Sequence, residues 1–338
     1  MREIEIVGGG LAGLSLGVAL AREGVPVRVR EASVYPRHRV CGEFLNGVTW
    51  ETLERLGIAD LFDDALRHEL TRWWVGEEMI LESQLSRPAL GMSRWVMDER
   101  LRVCFEEAGG VLSVNDRAVP VPREGLVWTA GRRLTKGSAL VGLKAHFMGV
   151  DLDGFLEMHV GEGAYVGMTP VSADGERVNV CGLFRKEDLA GGRNPMVTAL
   201  RRCGLPEVAG RLERAEMDGA SLTGVSGLHL GGQGAADGLC TLGDAERMIP
   251  PFTGNGMSMA FESAECALPH LLAYAREEVS WEVACAEIRG SLEGRFAKRV
   301  RLALGLHRCL TSAAGRVALR SAGRSGVLPF RWLHERLC

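Results

Sequence analysis

Three glycines near the start of the chain, Gly8, Gly10 and Gly13, stand at the spacing G-x-G-x-x-G, with Leu11 and Ala12 between the last two. The chemistry open to such a run is the binding of a pyrophosphate. Gly8 permits a tight turn, Gly10 lets phosphates approach the backbone, and Gly13 lets a helix pack closely on a strand. Glu31 follows at the spacing where a carboxylate binds a ribose 2′-OH and repels a 2′-phosphate. Far downstream, Gly243-Asp244 is followed by Pro250-Pro251-Phe252-Thr253-Gly254-Asn255-Gly256-Met257. A carboxylate at a strand end can hold a ribityl hydroxyl. A glycine-rich helix start offers free N–H groups and the positive dipole end to a flavin's pyrimidine edge, which becomes anionic on reduction. Together the two stretches predict FAD.

The elements that must position these residues can be read around them. Residues 2–7 alternate like a strand, Leu14–Ala21 reads as a helix, and Val25–Arg30 reads as a second strand ending at Glu31. A short apolar strand leads into Gly243-Asp244, and a helix runs from the second glycine stretch to about Tyr274. Between them lies a strand-rich region. Leu70–Val75 with Met79–Glu82 predicts a hairpin, and residues 139–147, 155–160, 164–171 and 177–184 predict four more strands separated by glycine-containing turns. Residues 195–213 read as one helix. From 286 onward the chain is helical and basic.

Four motifs make the chain resemble the flavoprotein superfamily of aromatic-ring hydroxylases and geranylgeranyl reductases, which shares the p-hydroxybenzoate hydroxylase fold. They are GGGLAG with Glu31, the segment Arg37–Leu45, the pair Ser93-Arg94, and GDAERMIPPFTGNGM. The resemblance implies an α/β fold: a Rossmann-like FAD-binding domain with a parallel sheet, an inserted mixed or antiparallel β-sheet substrate domain, and a C-terminal helical segment. Residues 1–65, 91–135 and 225–275 would build the first, 66–90 and 136–224 the second, and 276–338 a helical cap. It further implies FAD contacts from Ala32 beside Glu31, from Arg39, Cys41 and Gly42, from Arg94, and from Ala130 and Gly131. The reaction would be carried by the flavin, with NAD(P)H as transient reductant. Cys41 would lie near the flavin, and Lys144 and His146, alternating on one strand, are candidates for the substrate face.

Two reactions fit. One is NAD(P)H-dependent hydroxylation by O₂, through a flavin hydroperoxide, of a lipophilic aromatic or polyketide-like molecule. The other is saturation of a C=C bond in a prenyl or other lipophilic substrate. The reductases' Tyr-x-Trp-x-Phe-Pro pattern stands here as Tyr165-Val166-Gly167-Met168-Thr169-Pro170, which favours the monooxygenase.

Composition narrows the field. Charge is balanced, with 40 basic and 43 acidic residues, which argues against a nucleic-acid partner. Nine scattered cysteines with no C-x-x-C pair read as reduced thiols of a cytoplasmic protein. The first residues read as a strand, so no signal peptide is expected, and no run of 18 apolar residues is present. No second dinucleotide fingerprint accompanies the first, no metal-ligand spacing stands out, and no lysine precedes Lys136, which disfavours flavin halogenation. The basic C-terminal helices are expected to form a packed cap, with a weak peripheral contact to an anionic membrane as the alternative. Oligomeric state is left open.

Overall fold

The computed structural model describes residues 1–133, 135, 137–189, 191, 194–234 and 238–338. A five-stranded parallel sheet has the order Cys240–Thr241, Leu126–Trp128, Ile4–Val7, Val27–Arg30, Val111–Ser113. Ile4, Ile6 and Val29 are fully buried, as the apolar alternation of these short strands requires. The helix Leu11–Arg22 is buried along almost its whole length, because it is sandwiched between this sheet and the helix Gly256–Ala275.

A second sheet has eight strands in the order Glu216–Ser226, Leu140–Met148, Arg177–Arg185, Ala164–Pro170, Phe155–Gly161, Leu66–Val75, Glu78–Gly91, Phe44–Leu45. All neighbours are antiparallel except Leu66–Val75 beside Phe155–Gly161. The hairpin is longer than its sequence signal, with strands of 10 and 14 residues. The short strand Phe44–Leu45 pairs with Leu90 and Gly91, so the segment after Glu31 crosses to the second sheet. Val141, Leu143, Ala145 and Phe147 pack against two helices, Pro195–Arg202 and Pro206–Arg214. Alternation therefore turns Gly142, Lys144 and His146 to the opposite face. The single helix expected over 195–213 is two: Pro206 has no N–H to continue the first and opens the second.

The C-terminal part forms three helices, Trp281–Thr311, Ala313–Arg324 and Phe330–Leu337. The first buries Ala284, Ile288, Leu292, Phe296, Val300 and Ala303, one helical stripe, against Gly256–Ala275. No helix among the described residues is long and apolar enough to cross a membrane.

His68, on the hairpin, gives the fold a pH dependence. It is 5% exposed, its Nε2 lies 3.1 Å from the Pro170 carbonyl, and burial pushes its pKa down to about 4. An unfolded histidine protonates near 6.5. Between pH 6.5 and 4 the unfolded chain therefore binds a proton that the folded chain refuses. The contribution is fully present above pH 6.5 and is lost as pH falls through that window, by about 3 kcal/mol. Urea unfolding at pH 7 and 4.5 should show wild type losing about 2 kcal/mol more than His68→Gln, the remainder being lost only below pH 4.5; equal losses would remove His68 as the cause.

Candidate FAD site

At the carboxyl edge of the parallel sheet lies a cavity of about 590 Å³, the largest of those described. Its walls include Gly8, Gly10, Leu11, Ala12, Glu31, Ala32, Arg39, Cys41, Gly42, Arg94, Ala130, Gly131, Asp244, Pro251, Gly254, Gly256 and Met257. Three residues expected there stand behind the wall. Gly13 packs against Gly8, the Gly243 N–H donates to Ser263 Oγ at 3.1 Å, and Asn255 is fully buried with its Nδ2 donating to the Asn46 carbonyl at 2.6 Å. Lys144 and His146 do not line the cavity; they are 0% and 1% exposed, beneath the loop that carries Cys41.

That loop is held by charge. The Glu31 carboxylate accepts the Gly9 N–H and the Ser33 N–H, both at 2.9 Å, and Arg37 Nη2 at 3.0 Å. Asp98 is gripped by Arg94 at 2.7 and 3.0 Å and by Arg39 Nε at 2.7 Å. Asp244 faces the cavity with Arg132 at 3.8 Å; burial raises its pKa, and the Arg132 and Arg94 charges oppose the rise.

Two observations test whether an anionic dinucleotide fits. Buried Arg37 Nε, Arg39 Nη2 and Arg132 Nε, all on residues lining this cavity, have no hydrogen-bond partner among the described residues. Buried donors are rarely left so, and on cations they suit a phosphate or carbonyl oxygen. A Cβ placed on Gly10 would meet nothing within 4 Å, whereas one on Gly13 would lie 2.0 Å from the Gly8 carbonyl oxygen. The empty side of Gly10 is the side a pyrophosphate would take.

The groove continues into a smaller cavity of about 70 Å³, walled by Cys41, Gly42, Arg132, Tyr165, Cys181, Pro251 and Phe252. Burial pushes the Cys41 thiol pKa up, with Arg94 opposing, so the sulfur holds its proton. Beyond Phe44, Met158 and Phe252 opens a third cavity of about 130 Å³. It is walled by Trp73, Leu81, Leu156, Met168, Leu310, Leu328, Phe330, Leu333 and Leu337, with Thr71, Glu157 and His334 among the few polar groups. Trp73 lines it while its neighbour Trp74 stacks on His159 at 4.4 Å, as strand alternation demands.

Sequence reasoning missed the group beneath the Cys41 loop. Glu43 is 0% exposed and has a left-handed backbone, φ 58°. Its carboxylate accepts the Arg94 N–H at 3.0 Å, faces Lys144 Nζ at 3.3 Å and meets His146 Nε2 at 2.6 Å. Lys144 Nζ also donates to His38 Nδ1 at 3.0 Å. Asn179 adds a bond from Nδ2 to the Cys41 carbonyl at 3.0 Å. His38, His146 and Asp218 bring ligand atoms within 4.8 Å of one another, but the Lys144 ammonium sits on His38. The alternation of Lys144 and His146 was the available signal; their partner, some hundred residues earlier in the chain, gave none.

The two sheets, the groove and its glycine edge make a site shaped for an anionic dinucleotide. Residues 1–114 match the FAD-binding domain family. The menaquinone reductase of Mycolicibacterium smegmatis (strain ATCC 700084 / mc(2)155) is 25% identical over 379 residues, 95% of this chain and 88% of that protein. Among solved structures, a geranylgeranyl bacteriochlorophyll reductase-like protein of Thermoplasma acidophilum superimposes with TM-score 0.77 at 17% identity, covering 96% of this chain and 91% of that one. PqsL of P. aeruginosa, in complex with 2-aminobenzoylacetate, gives 0.74 at 16% identity, covering 95% and 100%. These likenesses are of fold. With the match over residues 1–114 they make the chain similar to the flavoproteins of the p-hydroxybenzoate hydroxylase and geranylgeranyl reductase fold.

Proposed function

We propose that the protein is an FAD-dependent oxidoreductase that acts on a lipophilic small molecule and saturates a carbon–carbon double bond in it. The carrying observation is the apolar third cavity, which adjoins the small cavity at the end of the groove. Gly8, Gly10 and Gly13 would form the pyrophosphate turn, Glu31 with Ala32 the ribose end, and Asp244 the ribityl contact. Pro251, Gly254, Gly256 and Met257 would meet the flavin ring. Arg39, Cys41, Gly42, Arg94, Ala130 and Gly131 would close the groove. Bound FAD, reduced by NAD(P)H, supplies a hydride for reduction or, with O₂, oxygen-transfer chemistry.

The chain's own part is to bind, dry and protonate. Leucine, tryptophan, phenylalanine and methionine walls take a long apolar substrate and exclude water. Saturating a double bond needs a hydride at one carbon and a proton at the other. The Cys41 thiol, kept protonated by burial at the small cavity, can give that proton from Sγ. Similarity along nearly the whole chain to a menaquinone reductase supports reduction of an isoprenoid-like substrate.

The second reading, hydroxylation of a lipophilic aromatic or polyketide-like molecule, is favoured by residues 165–170. They lack the tryptophan and phenylalanine of the reductase pattern. One experiment separates the two. Protein reduced under argon is mixed with a prenylated quinone or prenyl lipid in detergent, and flavin reoxidation is followed at 450 nm. Reoxidation without O₂, with a product two hydrogens heavier, is the expected result. Reoxidation only in air, with ¹⁸O entering the product, would replace it with the hydroxylase.

A further inference from the structure

The helices that wall the apolar cavity have a second face. Leu319 on Ala313–Arg324 and Leu333 and Leu337 on Phe330–Leu337 turn inward to the cavity, with Leu328 and Phe330 joining them. Outward, Val317 is 63% exposed, Val327 68% and Trp332 50%. The hairpin turn docks on the first of these helices, with Glu78 pairing with Arg324 at 2.7 Å and Ile80 packing on Gly323. Large apolar side chains exposed together mark an interaction surface.

Charge says what it meets. Arg316, Arg320, Arg324, Arg331 and Arg336 stand on these two helices against Glu335. Glu78 occupies Arg324, and Glu335 lies 3.7 Å from Arg331. Arg316, Arg320 and Arg336 have no carboxylate within 4.0 Å among the described residues. The first two donate to the carbonyls of Thr311 and Val75, and the third lies over the Trp332 ring at 3.8 Å. Tryptophan and valine between arginines whose charge is unneutralised is the chemistry of the headgroup region, where indole rings rest and cations meet anionic lipid.

We propose that the outer face of the two C-terminal helices docks on an anionic lipid bilayer, so that the cavity behind them takes its lipophilic molecule from the membrane. The docking stands on the surface alone; the delivery rests on the cavity holding a lipophilic substrate. No helix among the described residues spans a bilayer, so the attachment is peripheral and reversible.

The test uses the FAD-loaded protein and floating vesicles, with no substrate present. Vesicles of phosphatidylcholine mixed with phosphatidylglycerol should carry the protein up the gradient. Pure phosphatidylcholine should carry much less, and added salt should release it. The double variant Val327→Ser, Trp332→Ser should weaken partitioning about tenfold or more. Val119→Ser, on an exposed valine elsewhere, should partition as wild type. Equal recovery on neutral and anionic vesicles would overturn docking, as would a double variant that floats like wild type. A double variant that only converts a dimer to a monomer, with no vesicle binding by either form, would also overturn it, in favour of a second copy of the chain. Delivery is read separately. The double variant should reoxidise its flavin normally with detergent-dispersed substrate and slowly with substrate in vesicles. If wild type fails with detergent-dispersed substrate too, the substrate reading falls while vesicle binding still decides the docking.

Discussion

Glu43→Ala is expected to destabilise the protein by about 3–5 kcal/mol, the cost of breaking a buried ion pair from one side. Lys144 is 0% exposed and His146 1%, and both face the Glu43 carboxylate at 3.3 and 2.6 Å. Removing it leaves an ammonium in a dry sheet interior with only His38 as acceptor. It also uncaps the Arg94 N–H at the start of the helix Arg94–Glu107. Burial alone would raise the Glu43 pKa. The bonds from His146, the Lys144 charge and the Arg94 N–H outweigh burial and hold the carboxyl below its ordinary range.

Glu43→Gln keeps the shape and one acceptor but not the charge, so its loss should be smaller. Combined with Lys144→Met, which removes the stranded cation, Gln should cost less than the sum of the two single changes, by on the order of 1–3 kcal/mol of coupling. Urea unfolding of all four proteins measures this. Strict additivity, or a Glu43→Ala loss under about 1 kcal/mol, would show that Lys144 is neutralised by something other than Glu43. Because Glu43 adjoins Gly42 and the Asn179 amide fixes the Cys41 carbonyl, the same cluster sets where the Cys41 turn stands against the small cavity at the end of the groove.

What the sequence made legible follows one physical rule. Where a local backbone path dictates residue type, the type could be read back. The turn at Gly8, the left-handed Gly254 (φ 68°) and the carboxylate ending the second strand at Glu31 are of this kind. The alternation that sends Trp73 and Trp74 to opposite faces is another. What depends on register between distant strands could not be read. Lys144 is beside Cys181 only because Leu140–Met148 pairs with Arg177–Arg185, and it reaches Glu43 only because the segment after Glu31 crosses to that sheet. Asn255 looked like part of the ring contact from its place between two glycines. In the fold its amide is spent on the Asn46 carbonyl, and its Oδ1 is a buried acceptor with no hydrogen-bond donor among the described residues. The apolar cavity was hidden because its walls come from the hairpin, the second sheet and helices more than two hundred residues apart.

Gly10→Val should abolish measurable FAD binding, a loss of at least about a hundredfold or 3 kcal/mol, and leave the apoprotein as stable as wild type to within about 1 kcal/mol. Gly10 has φ −92° and ψ −168°, extended backbone that valine adopts readily, and its Cβ would meet no protein atom within 4 Å. Nothing in the protein therefore requires glycine there; the requirement comes from what fills the groove. Gly13 is the opposite case. Its Cβ would stand 2.0 Å from the Gly8 carbonyl oxygen and 2.6 Å from Thr129 Oγ1. The first of these is backbone and cannot yield, so Gly13→Val should unfold the apoprotein whether or not a ligand ever binds. Gly256 sides with Gly10: its Cβ would touch only Ile249 Cγ2, at 4.0 Å, so Gly256→Val should fold and lose flavin. Thermal melts of the apoproteins and fluorescence titration with FAD give both numbers for each variant. If Gly10→Val binds FAD as wild type does, the pyrophosphate does not cross Gly10. If it unfolds instead, the space beside Gly10 is structural, and the fit of the groove to a dinucleotide must rest on the three arginine nitrogens that lack a hydrogen bond.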